Sequence, residues 1–124
     1  MTTETDGVAH LTTHVLDTSR GVPAEGVTID VHLVIDGGRR PVARVTTNAD
    51  GRTAAPLVAG DRIDVGIYEL TFHVAEYFRR AGVALTTPPF LGEIVIRVGI
   101  ADAHGRYHVP LLVSPYGYST YRGS

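Results

Sequence analysis

The chain has 124 residues, a formal net charge of −2, eleven Arg with no Lys, and no Cys. That length suits one domain burying about two-thirds of the surface its unfolded chain would expose, and the lack of Cys excludes disulfides and thiolate metal sites. Near-neutral charge with dispersed Arg argues against nucleic-acid binding, and no apolar run reaches the roughly 20 residues of a membrane span, so a soluble, cytoplasmic protein is expected.

Residues 1–9 contain Glu4 and Asp6 and no apolar core, unlike a secretory signal. They are expected to be a flexible segment preceding a single domain at 10–124. The first strand is predicted over His10 to Leu16. Val27, Ile29, Val31, Leu33 and Ile35 then alternate with Thr28, Asp30, His32, Val34 and Asp36, the pattern of a strand with one buried face. Asp36-Gly-Gly38 reads as a turn into a strand at Pro41 to Thr47, and Asn48-Ala-Asp-Gly51 as a second turn. Ala59-Gly-Asp61 reads as a third, ahead of a strand in which Tyr68, Leu70, Phe72 and Val74 alternate with polar residues.

One short helix is predicted over Ala75 to Ala81. Arg79 and Arg80 complement the dipole of its last turn, and Gly82 supplies a left-handed cap. Seven residues do not hold a helix in water, so it must dock through Tyr77 or Phe78. Strands follow at Glu93 to Ile100, Tyr107 to Val113 and Tyr116 to Tyr121. Pro110 has no N–H for a ladder, which places its strand at an edge or beside an opening. Seven or eight short strands at this spacing argue for an all-β, two-sheet sandwich.

The closing run Ser114-Pro-Tyr-Gly-Tyr-Ser-Thr-Tyr-Arg-Gly-Ser124 is polar, aromatic and cationic, a composition suited to a packed strand lining a site. Together with Leu11-Thr-Thr-His-Val-Leu-Asp17, Thr47-Asn-Ala-Asp-Gly-Arg52 and Tyr107-His-Val-Pro-Leu-Leu112, it resembles the 5-hydroxyisourate hydrolases of the transthyretin-related family. The resemblance implies a transthyretin-like sandwich with one helix. It also implies hydrolysis of the N1–C6 amide of 5-hydroxyisourate to 2-oxo-4-hydroxy-4-carboxy-5-ureidoimidazoline, with no cofactor. A homotetramer, built as a dimer of dimers with the site in a channel between subunits, is implied as well. The alternative on the same fold is a carrier of a small hydrophobic or aromatic ligand.

The candidate site residues combine both kinds of reading. His14 shares a strand face with Thr12 and Leu16, and His108 shares one with Pro110. Either is an ordinary surface imidazole on spacing alone or, when neutral, a general base. Arg52 is at minimum the residue after a tight turn. Its planar donors also suit ring carbonyls, and its charge would keep a nearby His neutral. By resemblance His14, Arg52, His108 and Ser124 are catalytic, and His14, Arg52 and Tyr121 bind the substrate, a purine-derived small molecule. Which His is the base stays open. A metal is not expected: the pairs His10/His14 and His104/His108 would be about 13 Å apart along a strand, too far to share an ion with bonds of about 2 Å. The Gly-x-Ser-x-Gly elbow of a serine nucleophile and a phosphate-binding loop are both missing.

Overall fold

The computed structural model describes residues 8–124, and each predicted strand has its counterpart. The strands are β1 (Ala9–Asp17), β2 (Val22–Pro23), β3 (Thr28–Ile35), β4 (Gly38–Thr46), β5 (Val58–Gly60), β6 (Gly66–Phe72), β7 (Ile94–Ile100), β8 (Arg106–Ser114) and β9 (Gly117–Thr120). Most of the segment expected to be flexible, residues 1–7, lies outside the described residues; Ala9 is already buried in β1. Two short strands, β2 and β5, add to those predicted. Two residues of the predicted turn at Ala59-Gly-Asp61, Ala59 and Gly60, therefore belong to β5, because the two-to-three-residue strands β2 and β5 are too short to register as a period.

One sheet runs β2-β1-β8-β9, with β5 also paired to β1; the other runs β4-β3-β6-β7. Alternation decides what faces inward. Leu11 and Val15 of β1, Ile29 and Val31 of β3, Leu70 and Phe72 of β6 and Leu111 and Val113 of β8 are buried between the sheets. Their neighbours His10, Thr12, His14 and Leu16 consequently lie on the outer face of the first sheet. Pro41 is accommodated on the sheet-edge strand β4, where the register slips between Val31 and His32.

Helix α1 (Val74–Arg80) buries Val74, Ala75, Tyr77 and Phe78, so both candidate anchors dock. About 1.5–3 kcal/mol is gained for each large apolar side chain removed from water, enough to hold one helical turn or two. It stops in a Schellman arrangement: the N–H of Val83 bonds to the Phe78 carbonyl at 2.9 Å and that of Gly82 to Arg79 at 3.0 Å, with Gly82 at φ +85°. No helix among the described residues is long and apolar enough to cross a membrane.

The edge position considered for the Pro110 strand is not observed. β8 lies inside its sheet, parallel to β1 and antiparallel to β9. The opening is real, however. The β8–β9 ladder stops at Leu111↔Thr120 and resumes only as the bridge His108↔Gly123. The Pro110 carbonyl accepts from Thr120 Oγ1 at 2.7 Å, which places the proline nitrogen on the same side, facing the gap in that ladder.

Candidate active site

Three pieces of chain assemble on the outer face of the first sheet. β1 and β8 run in parallel register with Thr12 opposite His108 and His14 opposite Pro110. His14 and His108 therefore sit on adjacent strands, same face, two residues out of step, with Cα atoms about 8 Å apart by strand spacing and rise.

The third piece is the loop carrying Arg52. Asn48 Oδ1 accepts from the N–H groups of Asp50 and Arg52, at 2.9 and 3.3 Å, and closes a tight turn. Gly51, at φ +75°, then passes so close to β1 that a Cβ there would collide with the Val15 carbonyl and come within 3.3 Å of His14 Cδ2. Two backbone bonds staple the loop to β1: Val15 N–H to the Gly51 carbonyl at 2.8 Å, and Leu57 N–H to the Leu11 carbonyl at 2.8 Å. Arg52 is thus delivered beside the two imidazoles, between the short strands β2 and β5.

A cleft of about 650 Å3 results, lined by His10, Thr12, Arg52, Arg106, His108 and Ser124 together with Thr53 to Pro56. Among the described residues, no Asp or Glu side chain lines it. Burial pulls the His108 pKa below its usual 6.5, and the charges of Arg52, His14 and His10 pull it the same way. Both causes favour the neutral ring, the form with a lone pair available. Thr12 Oγ1 lies 2.8 Å from its Nδ1.

The tail closes the cleft on one side. Gly123 N–H bonds to the His108 carbonyl at 2.8 Å, and a Cβ on Gly123 would stand 2.6 Å from His108 Cδ2, so only glycine fits against that ring. Arg122 stacks its guanidinium 4.3 Å from the centroid of Tyr107, whose hydroxyl accepts from the N–H groups of Ala101 and Asp102. Ser124 then reaches the cleft.

Of the residues singled out from sequence, Arg52, His108 and Ser124 line this cleft; His14 is not in its lining and stands against Gly51, the residue before Arg52. Tyr121 does not join them. It lines a second cleft of about 320 Å3 between β7 and the tail, with Ile96, Val98, Tyr107 and Val109. Sequence reasoning passed over His10, Thr12 and Arg106 as site residues, although period-two alternation already put the first two on the face of His14 and the third on that of His108.

The HIUase/Transthyretin family profile matches residues 11–123. A Ralstonia nicotianae protein named 5-hydroxyisourate hydrolase is 51% identical over 94% of this chain and 100% of its own length. Among solved structures, the Klebsiella pneumoniae 5-hydroxyisourate hydrolase superposes with a TM-score of 0.76 at 38% identity, over 94% of this chain and 100% of that one. An (S)-allantoin synthase superposes at 0.88 with 44% identity over 94% of this chain, which spans only 44% of that longer protein. Sea bream transthyretin, solved with thyroxine, superposes at 0.81 with 27% identity, covering 91% of this chain and 93% of its own. With the profile spanning nearly the whole chain and half of all residues shared with a full-length relative, the chain belongs to the HIUase/Transthyretin family.

Proposed function

We propose that this chain hydrolyses 5-hydroxyisourate, opening the six-membered ring at the N1–C6 amide. The observation that carries the reading is the convergence of Arg52, His14 and His108 on one face, at a cleft that Arg and His side chains line and, among the described residues, no Asp or Glu does. Two guanidiniums and two imidazoles line it, a setting matched to a polar, carbonyl-rich ring and ill matched to the apolar ligand of a carrier.

In the proposed mechanism, the neutral His108 takes a proton from water as the water oxygen bonds to C6. Arg52 faces the oxyanion that forms on the former carbonyl, and His14 orients the ring. As the intermediate collapses, the C6–N1 bond breaks, N1 receives a proton from the imidazolium, and C6 becomes a carboxylic acid that releases its remaining proton to solvent. General-base action contributes about 10²–10⁴-fold, roughly 3–5 kcal/mol of barrier. Arg52 must therefore supply much of the remainder electrostatically. Ser124 hydrogen-bonds to substrate at the mouth of the cleft.

The working molecule is proposed to be a homotetramer. Tyr121 is assigned to a substrate contact in that assembly, because on its own chain it faces the second cleft. Mixing the protein with urate and urate oxidase and following decay of the hydroxyisourate absorbance tests the activity. Decay at the uncatalysed rate would refute it.

A further inference from the structure

One polar side chain in the cleft has no part in the mechanism above, and it touches the base directly. Thr12 is half-buried, lines the cleft and stands opposite His108 in the β1–β8 register. Its Oγ1 lies 2.8 Å from His108 Nδ1 and 3.3 Å from the Tyr107 carbonyl oxygen.

A hydroxyl has one proton and two lone pairs. Both contacts are hydrogen bonds at the same time in a single proton arrangement: Thr12 donates to the Tyr107 carbonyl and accepts from a proton on Nδ1. The lone pair is then on Nε2. The reverse arrangement, with Thr12 donating to Nδ1, would present an Nε2–H to the cleft and make His108 a donor instead of a base.

We propose that Thr12 is a positioning residue that fixes His108 as its Nδ1–H tautomer and aims the Nε2 lone pair at the attacking water. Gly123 completes the clamp. It holds the backbone of His108 through a 2.8 Å bond and lies against the Cδ2 edge of the ring, so the imidazole is fixed at Nδ1 on one side and at Cδ2 on the other. When water adds to C6, its proton passes to Nε2, and the imidazolium charge is shared through Nδ1–H with the Thr12 oxygen. The inference rests on the hydrolase reading, and it concerns a residue that acts through His108.

The test compares wild type, Thr12→Val and Thr12→Ser, reading the His108 tautomer by long-range ¹H–¹⁵N correlation without substrate, and kcat and KM with it. Wild type is expected to carry its proton on Nδ1. Thr12→Val is expected to shift the population toward Nε2–H and lower kcat by about 10- to 100-fold, the size of loss seen when the group orienting a metal-bound imidazole is removed, with KM changed little. Thr12→Ser is expected to restore both tautomer and kcat.

A wild-type ring protonated on Nε2 would overturn the proposal. So would a Thr12→Val protein with unchanged kcat, or a Thr12→Ser protein as slow as Thr12→Val. If Thr12→Val does not fold, the wild-type tautomer and the serine variant still decide. Because the tautomer is read on the free protein, a wild type that fails to turn over hydroxyisourate sinks the hydrolase reading and leaves the Thr12 measurement standing.

Discussion

At the level of single residues, His108 shows how surroundings favour the uncharged form of a common side chain. Burial and three positive or potentially positive neighbours, Arg52, His14 and His10, all disfavour its cation. Activity must then fall as acid protonates it, with a midpoint below the ordinary 6.5. Arg52→Gln removes one repelling charge, so the acid limb of the kcat/KM profile is expected to move to higher pH while the maximal rate drops. A limb that stays in place would separate Arg52 from the base. Alanine at His14, Arg52 or His108 is expected to lower turnover by at least about 10²-fold, with the circular dichroism of the fold retained. Near-wild-type rates in all three would end the mechanism. These three residues, and Ser124, were legible in the sequence because they sit in motifs. His10, Thr12 and Arg106 were not, since what marks them is the cross-strand register, a relation between residues nearly a hundred positions apart.

The elements are held in place by two backbone-level devices. Gly51 is one: its φ of +75° and its approach to β1 leave no room for a side chain. Gly51→Ala is expected to cost about 2 kcal/mol or more from the left-handed backbone and the collision with the Val15 carbonyl, and to lower activity further by withdrawing Arg52. Urea denaturation read beside turnover separates the two losses. The second device is Asp17 at the end of β1. Its carboxylate, fully buried, accepts from the Ser19 and Arg20 N–H groups, Ser19 Oγ, Arg20 Nε and, at 2.7 Å, the Tyr77 hydroxyl of the helix. Burial alone would push this carboxyl up, but the hydrogen bonds from Ser19, Tyr77 and Arg20 outweigh it, and its pKa lies below the usual 3.8. The stabilisation is therefore complete above 3.8 and is lost as pH falls through the lower folded value. Asp17→Ala is expected to cost about 3 kcal/mol at neutral pH, with the deficit shrinking in strong acid. Strands and helix were readable from alternation and caps. This network was not, because nothing local links Asp17 to Tyr77. Pro110 left an edge and an opening as alternatives for a related reason: the missing N–H faces a gap inside the sheet, and sequence alone does not separate such a gap from an edge.

On the scale of the whole molecule, the two sheets end on the same side in β7 and β9, with the second cleft between them. Val95 is 48% exposed, Tyr118 49% and Tyr121 59%, so unpaired edges and apolar side chains lie together. Such edges invite pairing with another copy. Sedimentation at micromolar concentration is expected to give four subunits, and a stable monomer with full activity would contradict the proposed assembly. The parallel pairing of β1 with β8 has a further consequence. A nascent chain emerges with β1 long before its ladder partner β8 has been translated, so that side of β1 stays unpaired until a loop of nearly a hundred residues has closed. No growing polypeptide that stops short of β8 can bring the two imidazoles side by side.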